Sequence, residues 1–255
     1  MIPKKIHYCW FGGNPKPALA EKCIKSWKKY CPEYEIIEWN EDNYDHLKND
    51  FMREAYEVKK WGFVPDYARL DIIYKYGGIY LDTDVEIVKP VDPLLEYRGF
   101  MGFESDNYLA LGLGFGAEAG NEIIKALRDS YENRHFVNPD GSLNIIPSPQ
   151  CDSAVLERMG VKRNGKLQEK DGFVFLPAEY LNPISLDTGK KRITGKTYSV
   201  HWYAGSWIPP EEKKENIKKQ KKALRAERKG KRHDLVKRII GAENYNKLKE
   251  LVKRN

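Results

Sequence analysis

At 255 residues, with 41% hydrophobic side chains, 6 Trp and 16 Tyr, the chain has enough apolar material for one sizeable core and does not read as disordered. No apolar run approaches the roughly 20 residues of a membrane-crossing helix. Ile2 to Phe11, broken by Lys4, Lys5 and His7, does not read as a secretion signal, and four cysteines without a Cys-x-x-Cys pair argue for reduced thiols in the cytoplasm rather than a zinc or redox motif. The net charge of +7 is lopsided: Pro209 to Asn255 holds 17 Lys and Arg against 7 Asp and Glu, while the remainder is net −3. A mildly acidic body, 1–208, therefore precedes a basic extension, 209–255.

Ile2 to Trp10 reads as a strand followed by the turn residues Gly12-Gly13. Leu19, Cys23, Ile24 and Trp27 recur at helical spacing between Pro17 and Tyr30, and Cys31-Pro32 stops that helix. The β-branched and aromatic run Tyr34 to Trp39 makes a second strand. A strand, a crossover helix and a strand predict an α/β sheet with parallel pairing. A helix is expected over 51–60 and another over 65–76, where Leu70, Ile73 and Tyr74 recur at helical spacing and Asp66 and Arg69 share a face. Gly77-Gly78 ends that helix, and Ile79-Tyr80-Leu81 reads as a short buried strand. Further strands are expected over 99–103 and 109–115, a helix over 121–131, proline-rich loops around short elements over 147–186, and a late strand over 198–202. From Glu211 paired lysines and arginines lie on a helix-favouring background broken near Gly230. Leu235, Val236, Ile239, Ile240, Leu248, Leu251 and Val252 then form an apolar stripe.

Asp82 and Asp84 follow the short apolar strand with one residue between them. Alternating side chains put both carboxylates on one face, where they can share a hard divalent cation and, through it, a diphosphate. The plainer reading is a turn whose aspartates satisfy loop amides, which accounts for one such residue more readily than for two on a face. Asp66 and Arg69 are either a helix cap with an ion pair or two groups reaching for the hydroxyls of a sugar. Trp10 is either a core indole beside a turn or a flat surface on which a nucleobase stacks, the glycines permitting close approach. Trp207 faces the same choice. His201 is either structural or the nitrogen donor that completes a two-carboxylate cation site.

Taken in order, Ile2-Pro3-Lys4-Lys5-Ile6-His7-Tyr8-Cys9-Trp10-Phe11-Gly12-Gly13, Ser26-Trp27, Pro65-Asp66-Tyr67-Ala68-Arg69 and Gly77-Gly78-Ile79-Tyr80-Leu81-Asp82-Thr83-Asp84 resemble the sugar-binding D-x-D glycosyltransferases of family 32. These are relatives of clostridial toxin glucosyltransferase domains, capsular polysaccharide glycosyltransferases and fungal mannosyltransferases. The resemblance is dense over 2–92 and resumes at His201-Trp202-Tyr203-Ala204-Gly205-Ser206-Trp207. It implies a GT-A-like, Rossmann-type nucleotide-sugar-binding fold with a mixed, mostly parallel central sheet, here followed by a basic helical C-terminal extension. It further implies that Trp10 stacks on the base, that Asp66 and Arg69 hold the donor sugar and that Tyr80 lies beside the ribose or sugar. Asp82 and Asp84 would organise Mn²⁺ or Mg²⁺ on the diphosphate with His201 as third ligand, and Ser206 and Trp207 would close over the leaving group. Asp82, Asp84 and Arg69 are the catalytic residues so implied. The implied reaction is retaining transfer from a nucleotide-diphosphate sugar, a UDP-sugar ahead of GDP-mannose, to a glycan or lipid-linked glycan in capsular or surface polysaccharide synthesis. The chain lacks the toxins' large helical insertions, which argues against a protein acceptor. No carboxylate nominates itself as a nucleophile, so front-face attack assisted by the departing phosphate is expected.

Two other readings stay open. Leu81-Asp82-Thr83-Asp84-Val85 also resembles the motif of haloacid-dehalogenase-like phosphatases, with Asp82 as nucleophile, although those enzymes carry it on their first strand and 80 residues precede it here. The basic extension suits a nucleic-acid binder by charge but lacks interleaved aromatics, so no nucleic-acid partner is expected. A solvated helix and recruitment to the anionic inner face of a membrane fit it equally, and recruitment suits work on lipid-linked glycans.

Overall fold

β1 (Lys5–Cys9), α1 (Ala18–Tyr30) and β2 (Glu35–Trp39) form the expected opening unit, with the two strands paired in parallel from Lys5 opposite Glu35 to Cys9 opposite Trp39. The computed structural model describes residues 1–205, 208–241 and 244–245. α2 (Asp50–Glu57) starts at Asn49, whose side chain accepts from the Met52 amide, and ends short of the expected 60 because Lys59 turns into the left-handed region at φ 58°. α3 (Pro65–Tyr76) begins on a proline that needs no helical donor and leads through Gly77 into β3 (Gly78–Tyr80).

The remaining elements are β4 (Val85–Ile87), β5 (Gly99–Phe103), β6 (Leu109–Ala117), α4 (Glu122–Asp129), α5 (Ser148–Arg158), β7 (Gln168–Lys170), β8 (Phe173–Leu176), α6 (Ala178–Leu181), β9 (Ser199–His201) and α7 (Pro210–Ile240). Seven strands make one sheet in the order β2-β1-β3-β6-β5-β8-β7, and all but β6 and β7 run the same way, giving the mixed, mostly parallel α/β sheet that was expected. β4 and β9 pair antiparallel as a separate two-stranded sheet.

The strand period of two divides the core. Tyr80, Met101, Phe103, Phe173 and Phe175 point into one cluster with α2, α3, α4 and α5. Ile6, Tyr8, Ile79, Leu81, Phe100, Val174 and Leu176 point into the other, against Cys23 and Trp27 of α1. Within β6 the parity breaks: Leu111 and Phe115 belong to the first cluster and Leu113 to the second. The cause is a shift of register against β5, where Met101 faces Phe115 but Gly102 faces Ala110, so the glycine-rich stretch 111–114 bulges out of the ladder.

The chain divides into two compact units, 1–184 with 192–207, and 185–191 with 208–255. In the second unit α7 runs unbroken for 31 residues, through the Gly230 at which the sequence predicted a break. One glycine costs a helix about 1 kcal/mol, and pairs one turn apart, such as Lys231–Glu227 at 2.5 Å and Lys219–Glu215 at 2.9 Å, work against that cost. The expected apolar stripe is not a buried face: Leu235 and Ile239 are 58% and 72% exposed, and Leu248, Leu251 and Val252 lie outside the described residues. No helix among the described residues is long and apolar enough to cross a membrane.

Candidate active site

Gly77 and Gly78 have φ 64° and 109°, which side-chain-bearing residues rarely adopt, and a Cβ on Gly78 would stand 2.9 Å from both His7 Nε2 and the Lys5 carbonyl. This turn lets β3 lie tight against β1, where the Leu81 amide donates to the His7 carbonyl at 3.0 Å. Past Leu81 the chain leaves the sheet, and Asp82 and Asp84 stand at its strand-end edge. α1 anchors the segment beyond them: the Trp27 indole donates to the Val85 carbonyl at 2.7 Å, and the Ile87 amide donates to Ser26 Oγ at 3.0 Å. Ser26-Trp27 is thus a clamp on β4. β9 pairs with the other edge of β4, Val85 opposite His201, and so carries His201 to the aspartates.

One ligand atom each from Asp82, Asp84 and His201 lies within 4.8 Å of the others. His201 Nε2 is 3.1 Å from Asp84 Oδ1, and the Ala204 amide donates to Asp84 Oδ2 at 2.8 Å. The side chains are 31%, 16% and 13% exposed for Asp82, Asp84 and His201, so a ligand can reach all three. Burial pushes the Asp82 carboxyl up to about 6, against the pull of Arg69 and with the help of Asp84. For Asp84 burial is outweighed by His201 and the Ala204 amide, which hold the carboxyl below its usual range. His201 is raised, because Asp84, Asp82 and Glu104 outweigh its burial. Two carboxylates and an imidazole converging on one point, with more negative than positive charge, fit a hard divalent cation such as Mn²⁺ or Mg²⁺.

α3 is buried along most of its length and carries Asp66 and Arg69 inward, 6% and 3% exposed. They form an ion pair through Asp66 Oδ1 and Arg69 Nη2. The same nitrogen donates to Ser148 Oγ at 3.0 Å, and Arg69 Nη1 lies 3.6 Å from Asp82 Oδ1. The cap reading of Asp66 gives way: Val64 is the N-cap position, and no side chain caps it. The helix pair and the D-x-D pair are therefore one continuous polar group, linked by Arg69.

Trp10 sits on the loop after β1, half-buried, its indole donating to the Asn14 carbonyl at 2.6 Å with the Lys16 ammonium 5.6 Å above its ring. Tyr80 is 1% exposed, packed beside Phe115 in the core. Ser206 and Trp207 lie outside the described residues. Several contributors were given no role by the sequence reading. Gly112, in the β6 bulge, lies under Asp82: a Cβ there would be 2.6 Å from Asp82 Oδ2. Alternating glycines in Gly112-Leu113-Gly114-Phe115-Gly116 were the available signal, since glycine inside a strand marks a close approach. Ser148 hides in a proline-flanked stretch with no helical pattern. Tyr203, held at φ 50°, directs the Ala204 amide at Asp84, and its hydroxyl accepts from Asn182 Nδ2 at 2.6 Å and bonds the carboxylate of Glu104. No local pattern announces those two.

A parallel-rich sheet thus brings a D-x-D pair, a late histidine and an acid–arginine pair to one edge. Residues 17–100 match the family model described as "Glycosyltransferase sugar-binding region containing DXD motif". It is similar to inositol phosphoceramide mannosyltransferase 3 of Schizosaccharomyces pombe, 29% identical over 146 residues that cover 53% of this chain and 40% of that one. It is also similar to inositol phosphoceramide mannosyltransferase 1 of that yeast, 31% identical over 111 residues, 39% of this chain and 33% of that one. The chain thus spans 40% or less of the length of these relatives. A solved structure titled PaToxG Glycosyltransferase overlaps it with a TM-score of 0.47 and 18% identity, over 62% of this chain and 70% of that one.

Proposed function

We propose that the protein is a metal-dependent, retaining glycosyltransferase that moves a sugar from a nucleotide-diphosphate sugar, a UDP-sugar ahead of GDP-mannose, to a glycan or lipid-linked glycan acceptor. The observation that carries this reading is the convergence of Asp82, Asp84 and His201 beside the Arg69–Asp66 pair. It supplies a cation site for a diphosphate and, within one ion-pair distance, charged groups suited to sugar hydroxyls. Asp82, Asp84 and His201 would hold Mn²⁺ or Mg²⁺, which would supply charge neutralisation for the departing diphosphate. The chain's own residues do the rest. Asp84, ionised and fixed by the Ala204 amide, and His201, fixed by β9, keep the ligand set aimed at one point. Arg69 and Asp66 orient the sugar so that its anomeric carbon faces the acceptor, which converts binding energy into proximity. Trp10 offers a face for the base, Tyr80 backs the ribose and sugar from the core, and Ser206 and Trp207 close over the leaving diphosphate. Front-face attack then needs no protein nucleophile.

A lipid-linked acceptor is favoured by the names of the fungal relatives, which are mannosyltransferases of inositol phosphoceramide. The basic helix α7 would hold such an enzyme to the anionic inner face of a membrane, each lysine or arginine near that surface contributing about 1 kcal/mol. The work would then lie in the cytoplasm, in capsular or surface polysaccharide synthesis. Incubation with Mn²⁺ and a panel of UDP-hexoses and GDP-mannose tests the reading: slow hydrolysis of one donor is expected in the absence of acceptor. Failure of every donor to bind or turn over would reject it.

A further inference from the structure

Behind the Arg69–Asp66 pair lies a buried polar cluster for which the proposed reaction has no stated use. Ser148 and Asp152 are one turn apart on α5 and so share a face of it. Ser148 accepts from Arg69 Nη2 at 3.0 Å. Asp152 is 1% exposed, and neither of its carboxylate oxygens has a hydrogen-bond partner among the described residues. Arg69 Nε, Arg134 Nη1 and the Tyr131 hydroxyl are likewise buried without partners, and these groups act electrostatically on one another and on Asp66. A native interior leaves only a few such atoms per hundred residues, and several gathered around one arginine point to a shared task.

We propose that Asp152 is a positioning residue that holds Arg69 in the orientation that receives the donor sugar; the assignment rests on the transferase reading above. Arg69 is drawn from two sides, by Asp82 at the end of β3 and by Ser148 and Asp152 on α5. Its 3.6 Å separation from Asp82 is longer than a closed ion pair, and the α5 groups oppose its closing. Without Asp152, Arg69 swings onto Asp82, where it competes for a cation ligand and leaves the sugar unheld. Burial pushes the Asp152 carboxyl up to about 7, with Arg69 and Arg134 pulling the other way, so its hold on Arg69 is electrostatic and steric.

The test compares Asp152→Ala and Asp152→Asn with the parent protein. Affinities for UDP and for each UDP-hexose, and for GDP and GDP-mannose, are measured in the presence of Mn²⁺. The Ala variant should lose about tenfold of the affinity ratio between donor and free diphosphate, with diphosphate affinity unchanged within threefold, while Asn restores the ratio to within threefold of the parent. An Ala variant with an unchanged ratio, one weakened equally for donor and diphosphate, or an Asn variant as impaired as Ala would each overturn the proposal. If Asp152→Ala does not fold, Asp152→Ser is judged by the same ratio. A parent protein that binds no donor defeats the transferase reading instead, so the two failures are distinguishable.

Discussion

Replacing Gly112 by Ala separates metal-site geometry from stability. The backbone at Gly112 lies outside the left-handed region, so alanine fits its dihedral angles without strain. The added Cβ, however, would stand 2.6 Å from Asp82 Oδ2. An ordinary carbon–oxygen contact is about 3.3 Å or more, so the carboxylate must retreat by about 0.7 Å. Because the displaced atom ends a side chain, the fold gives way at little cost. Fewer backbone states in the unfolded chain can even add about 0.4 to 1 kcal/mol of stability. Cation ligands tolerate only about 0.2 Å, and disturbances of this kind lower metal affinity about 10- to 100-fold. The expected outcome is a melting temperature equal to or above that of the parent, with Mn²⁺ affinity and donor turnover reduced by that factor. Calorimetric Mn²⁺ titration in the presence of UDP, paired with thermal melts, provides the comparison. Mn²⁺ affinity within twofold of the parent would refute the role given to Gly112, and a large loss of stability would refute the claim that the clash is absorbed by Asp82 alone.

Asp84→Asn keeps an acceptor for the Ala204 amide but removes the charge facing His201, so the fold should persist while metal-dependent donor binding falls by about 100-fold or more; near-normal binding would remove Asp84 from the ligand set. Trp27→Phe deletes the donor to the Val85 carbonyl and leaves a void in the core, at a cost of about 2 to 4 kcal/mol, readable as a lower urea midpoint. His7 accepts from the Trp39 indole through Nδ1 and therefore donates to the Gly77 carbonyl through Nε2. Burial lowers its pKa to about 4, so this stability is present above about pH 6.5 and is lost as pH falls toward 4, by up to about 3 kcal/mol. Urea unfolding at pH 7 and pH 5 should show the loss, and a flat profile would contradict it. Changing Lys218, Lys219, Lys221 and Lys222 to Glu should reduce binding to phosphatidylserine vesicles more than tenfold; unchanged binding would make α7 a solvated helix only.

The parts of the fold legible in the sequence are those with local punctuation. α1 shows its apolar spacing between two prolines, and β3 is announced by Gly77-Gly78. The region 147–186 hid α5 and β8 because Phe173–Leu176 is buried on both faces and therefore shows no alternation, while prolines flank the start of α5. β4 was missed for a different reason: its three residues have no pattern of their own and are strand only because β9, more than a hundred positions later, pairs with them. Within the site, Asp82 and Asp84 were visible as a motif. Their link to Arg69 was not, since spacing alone left Asp66 and Arg69 divided between a cap and a sugar site. Gly112 had a signal in its alternating glycines, while Tyr203 and Asp152 matter through surroundings that no spacing rule encodes.

Asp84 and His201 are joined across a ladder of three residue pairs that, among the described residues, belongs to no larger sheet. Such a ladder can open by local fluctuation while the seven-stranded sheet stays closed. Each opening parts the imidazole from the carboxylate, so a cation or nucleotide that grips both must make the opening rarer in proportion to its concentration over its dissociation constant. Slowed amide exchange at Val200 and His201 would then register occupancy of the site even where no acceptor is known and no product can be followed.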